Sequence, residues 1–179
     1  MEAANLGAYL AYLTKEELDT VLKSLEASPK YDSKGYVEAA QKVIDQYPTG
    51  YSSLAVPTWF YGHEPTNLFS AHVAKYFSNS IREDGLLAIA RHGIVFASGS
   101  GGTTQEIFQD ACQNHYATFG EISPMVFLGE KRYTGDTMLW ECLKNLAEGR
   151  DYERYLYLSD EVDEIVKFIK ANPPVASKG

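Results

Sequence analysis

The residues best suited to chemistry stand together in the stretch FASGSGGTTQEIFQD, from Phe96 to Asp110. A short apolar run (Ile94, Val95, Phe96, Ala97) passes into Ser98, Gly99, Ser100, Gly101 and Gly102, and then into Thr103, Thr104 and an amphipathic stretch. Strand, glycine turn and helix start is an order that presents backbone N–H groups to an anion. The turn is not a G-x-x-x-x-G-K-[ST] loop. Nor is it G-x-G-x-x-G, because Thr104 stands where the third glycine would fall. Nicotinamide and ATP readings thereby lose their main support. Taken alone, the turn is equally well a β–α connector with no ligand.

Glu106 and Arg82 are the candidate catalytic side chains. Glu106 lies three residues after Thr103, and Thr103-x-x-Glu106 is also the spacing of a capping box at a helix start. Arg82, in NSIRED, reads in isolation as a solvated helix arginine paired with a carboxylate. The loop TWFYGHEP, from Thr58 to Pro65, offers Trp59, Phe60 and Tyr61 as stacking surface for a ring such as a nucleobase, or as anchors for the loop itself. His63-Glu64 is not a zinc-protease motif, since Asn67 stands four residues after His63. His72, His115 and Cys112 fall on apolar helix faces and are expected to be packed. No G-x-S-x-G elbow is present.

These residues need elements to position them. The chain has 179 residues, enough for one domain with a core. Its net charge of −8 argues against a nucleic-acid polymer as partner, which would need clustered Lys and Arg. Cys112 and Cys142 match no metal spacing and read as free thiols of a reducing compartment. No apolar run suits a membrane span and no signal peptide is visible, so a cytoplasmic location is expected. Small residues mark a first helix in MEAANLGAYLAYL. Thr14 and Glu17 form a capping box for a helix over about 15–27, and a third helix covers 36–46, ending before Pro48. Buried strands are expected at 54–56, 94–97, 124–128 and 155–158. Helices are expected from Asn67 to Phe77, from Ile81 to Arg91, over 103–117 and over 135–147 (with Leu139, Leu143 and Leu146 inside), and after Asp160. Residues 173–179 read as a polar tail. Strands alternating with helices give an α/β fold with one parallel sheet and helices on both faces, and ligands beyond the carboxyl ends of the strands.

The run Ser98-Gly99-Ser100-Gly101-Gly102-Thr103-Thr104-Gln105-Glu106 resembles the P-G-G-x-G-T-x-x-E motif of the LOG family, Rossmann-like proteins once labelled lysine decarboxylases. Gly99, Gly102, Thr103 and Glu106 match; Ser98 replaces the proline and Ser100 the second glycine. Arg82 occupies the place of the family's arginine on the helix before the glycine strand, without the usual M-H-x-R-K context. VPTWFYGHEPTN, IREDGLLAIA and IFQDACQNHY are similar to one bacterial branch, and the likeness spreads over most of the chain. MEAANLGAYLA resembles the segment just after the family's G-G-G-x-x-G-x-M loop, with Met1 as its methionine. The chain therefore resembles the C-terminal portion of a LOG protein, a single domain over residues 1–172 without the first glycine loop.

The resemblance implies hydrolysis of the N-glycosidic bond of a nucleoside 5′-monophosphate, giving free base and ribose 5-phosphate. Glu106 would stabilise an oxocarbenium-like transition state and Arg82 would meet phosphate or ribose. The backbone N–H groups of Gly102, Thr103 and Thr104, with the threonine hydroxyls, would take the phosphate, and Gly99, Ser100, Gly101, Trp59 and His63 would complete the substrate site. It implies no metal or organic cofactor, and a homodimer. Phe69, Tyr76, Phe77, Phe108, His115 and Tyr116 on helices 67–77 and 103–117 would supply that interface. The alternatives are a non-catalytic nucleotide-binding module or sensor, and a fragment that serves assembly alone.

Overall fold

The computed structural model describes residues 2–28, 33–57 and 67–177, which form two compact units divided between Arg82 and Glu83. The architecture is mixed α/β, with parallel strand pairs among numerous helices.

The first unit is mainly helical. Helix α1 (Glu2–Tyr9) is short, and α2 (Lys15–Leu25) starts at the expected capping box: Thr14 Oγ1 accepts from the Glu17 N–H while the Glu17 carboxylate accepts from the Thr14 N–H. Helix α3 (Tyr36–Gln46) follows Gly35, whose φ of 84° is the left-handed region that glycine enters without strain. Leu6, Leu10, Val21, Ala40, Val43 and Phe69 form the core of this unit.

Strand β1 (Leu54–Ala55) stops before Pro57 as expected, but its partner is a correction. The Asn67–Phe77 helix is absent. In its place β2 (His72–Val73) pairs in parallel with β1. Apolar spacing in that stretch fits a helix, yet the backbone finds partners across the strand instead. The N–H groups of His72, Ala74 and Tyr76 donate to the carbonyls of Ser53, Ala55 and Pro57. Ser70 Oγ accepts from the Ala55 N–H and donates to the His72 carbonyl, a serine competing with helix formation through its own backbone. His72 is exposed rather than packed on a helix face. Helix α4 (Asn79–Ile89) crosses the boundary between the units.

The second unit holds the main sheet. Strands β3 (Ile94–Phe96), β5 (Met125–Leu128) and β6 (Leu156–Ser159) are all parallel, with β5 in the middle. Met125, Val126 and Phe127 are fully buried, which is why that strand reads as a continuous apolar run. The expected single sheet of four strands is therefore three strands here, with β1 in a separate pair.

Helix α5 (Gly101–Tyr116) begins two residues earlier than the threonines suggest. It ends at Ala117, which sits in the left-handed region. Residues 131–136 form a π-helical turn, Lys131–Asp136, and α6 (Leu139–Ala147) starts only after Met138. Leu143 is buried while Leu146 is exposed, against expectation. Helix α7 (Val162–Ala171) follows β6, with Ile165 turned inward and Val162 and Val166 outward. Part of the expected tail is structured: β7 (Val175–Ala176) pairs antiparallel with β4 (Glu121–Ile122). Cys112 is exposed on α5, not in the core. His115 packs edge-on against Tyr152, as a packed histidine should. Among the described residues no helix is long and apolar enough to cross a membrane.

Candidate functional site

Parallel pairing brings the chain segments after β3, β5 and β6 to one edge of the sheet. Phe96 stands beside Phe127, and Leu128 beside Ser159, so Ala97–Ser100, Gly129–Arg132 and Asp160 follow at the same end. Hydrogen bonds tie the segments together. The Arg132 guanidinium donates from Nη2 to the Gly99 carbonyl at 2.6 Å. The hydroxyl of buried Tyr133 reaches the carbonyls of Ala97 (2.8 Å) and Phe96 (3.2 Å), and the Glu130 N–H donates to Asp160 Oδ1 at 2.8 Å. Arg132 thus holds the glycine turn, and Tyr133 the end of the strand that enters it.

Ser100 is the N-cap of α5, and its side chain makes no capping hydrogen bond. The first bond into the helix runs from the Thr104 N–H to the Ser100 carbonyl at 3.1 Å, and Thr104 Oγ1 donates to the same carbonyl at 3.3 Å, so Thr104, expected on the phosphate, is committed within the helix instead. The N–H groups of Gly101, Gly102 and Thr103 precede that bond and have no intrahelical acceptor. Gly99 is required sterically: a Cβ there would overlap Thr103 Oγ1. Gly101 and Gly102 are different, because a Cβ on either would meet open space. The fold itself does not demand glycine at those two positions.

The capping-box alternative for Glu106 does not hold. Thr103 lies inside the helix as its third residue, so Glu106 stands in the second turn rather than at N3. It is half-buried. Its position shares a helix face with Gly102 and Thr103 above and Asp110 below.

Arg82 belongs to the first unit. Its Nε donates to Asn79 Oδ1 at 3.0 Å, and Nη1 lies 3.5 Å from the Val56 carbonyl, at the carboxyl end of β1. Glu106 and the glycine turn belong to the second unit. Trp59, His63 and the rest of the aromatic loop lie outside the described residues.

Two charged residues were not singled out from the sequence: Arg132 beside the glycine turn, and Asp110 further along α5, next to Glu121 and Ser123. Arg132 follows a buried strand in LGEKRY, and a cation just past the carboxyl end of a parallel strand was the available signal. Asp110 lies four residues after Glu106 and is buried, so that burial pushes its carboxyl up to about 7. Asn114 Nδ2 donates to Asp110 Oδ1 at 3.4 Å, and Oδ2 has no hydrogen-bond partner among the described residues. Asp110, Arg91, Glu121 and Ser123 help line a cavity of about 20 Å³, roughly the space of one water. The described residues contain no group of three His, Cys, Asp or Glu side chains arranged to hold a metal.

The chain matches no family model and no curated protein.

Proposed function

We propose that the protein hydrolyses the N-glycosidic bond of a nucleoside 5′-monophosphate, transferring the ribosyl C1′ from the base to water. The reading rests on the likeness of Ser98–Glu106 to the LOG motif. One observation of geometry supports it most: α5 opens with N–H groups that have no intrahelical acceptor and places a carboxylate one turn further in. Gly102 and Glu106 are separated along the axis by about 6 Å, at 1.5 Å per residue. A phosphate at the helix start would leave its ribose one turn down, beside Glu106.

In this reading the N–H groups of Gly101, Gly102 and Thr103 take the phosphate, and Arg132 adds positive charge beside the turn. The Glu106 carboxylate stabilises the oxocarbenium-like cation and orients or deprotonates the attacking water. Arg82 meets the phosphate or ribose, by resemblance. By the same resemblance Trp59 or its neighbours would stack on the base and His63 would contact the substrate. No metal or organic cofactor is required, and a homodimer is part of the proposal. Its interface would draw on outward apolar side chains such as Phe77 and Tyr116, both mostly exposed.

The test is single-turnover base release from a panel of nucleoside monophosphates. Glu106→Gln should slow release by about 100-fold or more, equivalent to roughly 3 kcal/mol of transition-state stabilisation. Nucleotide binding should stay nearly intact, because the lost charge matters only as positive charge develops. Arg82→Ala should weaken binding and rate together. A parent protein that binds nucleotide without releasing base would replace the hydrolase reading with a binding module. A Glu106→Gln variant as fast as an active parent would remove Glu106 from the chemistry.

A further inference from the structure

The opposite edge of the main sheet carries a second concavity. β4 precedes β5, and the turn Glu153–Tyr155 precedes β6, so both lie at the amino ends of strands parallel to β3, whose carboxyl end leads to the glycine turn. Between them opens a cavity of about 760 Å³. A volume of that order accommodates a small metabolite with room for water. One wall is Ile122, Val175 and Ala176, from the β4–β7 pair. The other carries Arg150, Asp151, Glu153 and Arg154.

The charges on that wall are unequally committed. The Glu153 carboxylate accepts from the Gly149 N–H at 2.9 Å. Arg154 lies over the ring of buried Tyr155, 5.1 Å from its centroid, an arrangement that limits where the guanidinium points. Arg150 is held through its backbone, which accepts from the Glu153 N–H at 3.0 Å and donates to the Ala147 carbonyl at 2.9 Å. Neither guanidinium makes an ion pair among the described residues. Both arginines are exposed and line one hollow, so their guanidinium donors are open to a ligand entering it. Asp151, between them, has no hydrogen bond or ion pair to its carboxylate among the described residues.

We propose that this cavity is a second ligand site, taking a small polyhydroxylated anion of the sugar-phosphate or sugar-acid class. Arg150 and Arg154 grip the anionic group, since guanidinium donors match phosphate and carboxylate oxygens. Asp151 accepts from ligand hydroxyls and disfavours a bare oxyanion, which would meet its charge without offering a donor. Ile122 and Val175 cover the C–H face of the ring. The site needs nothing from Glu106 or the glycine turn, so it stands or falls separately from the proposed hydrolysis.

Residue-resolved amide chemical shifts during titration provide the test, with glucose 6-phosphate, glucuronate and inorganic phosphate as probes. Saturable shifts are expected at Ile122, at Gly149–Glu153 and at Val175–Ser177 with glucose 6-phosphate or glucuronate, and the stronger of the two identifies the anionic group. Inorganic phosphate should bind at least several-fold more weakly. An Arg150→Gln/Arg154→Gln variant should lose tenfold or more in affinity with its melting temperature unchanged. Asp151→Asn should narrow the preference for the sugar ligand over inorganic phosphate. Shifts confined to residues 99–104, absent with both sugar probes, or undiminished in the double variant would overturn the proposal.

Discussion

Asp110 is a residue whose energetic effect can be read directly from its surroundings. Burial holds its carboxyl pKa at about 7, above the ordinary 3.8, so the folded protein binds that proton more tightly than the unfolded chain does. Linkage then sets the sign. Between about 4 and 7 the native state keeps a proton that the unfolded state has lost, so stability falls as pH rises through that window, by up to about 1.4 kcal/mol per pH unit. Melting temperatures should therefore decline from pH 5 to pH 8. Asp110→Asn, which keeps the shape without the charge, should flatten that decline and exceed the parent's stability at pH 8. Parallel curves for the two proteins would assign the pH dependence elsewhere. Asp110 is inconspicuous in the sequence because an Asp within a polar-looking QDACQN run gives no sign of its burial. Glu106 stands out because glycines and threonines flank it. Its freedom from a capping role depends on where α5 starts, and two glycines in the first turn conceal that point from any propensity argument.

At the scale of elements, the β3–turn–α5 unit separates glycines that the fold needs from glycines that it does not. Gly99 abuts Thr103, whereas Gly101 and Gly102 face open space. Gly101→Ala and Gly102→Ala should therefore leave stability unchanged or raise it by up to about 1 kcal/mol, since alanine is the better helix residue. Both should weaken nucleoside monophosphate binding if the phosphate lies against those N–H groups, because the new methyl would occupy its place. Calorimetric titration beside thermal melts reads both effects, and unchanged affinity in both variants would move the phosphate elsewhere. Tyr133→Phe makes the complementary case. Its hydroxyl supports the carbonyls of Phe96 and Ala97, so its loss should cost about 1 kcal/mol of stability. The strands of the main sheet are legible because β5 and its neighbours are short, apolar and bounded by turn residues. The stretch 67–77 misleads for a physical reason: its apolar spacing fits a helix, but its N–H groups find β1 carbonyls, and that partnership is not local in sequence. The pairing of β4 with β7 is non-local for the same reason, and two-residue strands carry no periodicity to detect.

For the whole molecule, the division into two units has an energetic consequence. Each has its own core. Among the described residues, that of the second gathers eleven buried residues around a three-stranded sheet, including Phe127 stacked on Phe96 and edge-on to Tyr133 and Trp140. That of the first gathers six among the described residues, mostly between short helices, beside a strand pair only two residues long. Local stability tracks buried apolar contact and protected backbone hydrogen bonds, so the units should open at different free energies. Native-state hydrogen exchange should find the amides of β5 and β6 exchanging only through the highest-energy opening. Those of α2 and α3 should exchange through a lower one, with the capped first turn of α2 no better protected than its interior. Dilute denaturant should lower the α2 and α3 free energies first and leave β5 on its plateau. A single common exchange free energy across Val21, Val43, Val126 and Phe127 would mean that the two cores melt as one cooperative body. Arg82 and Glu106 fall on opposite sides of this division, so any reaction needing both would depend on the first unit staying folded. If both are needed, base release should fall away at the denaturant concentration that opens α2 and α3, before the main sheet yields. Release that persists until β5 exchanges would confine the chemistry to the second unit.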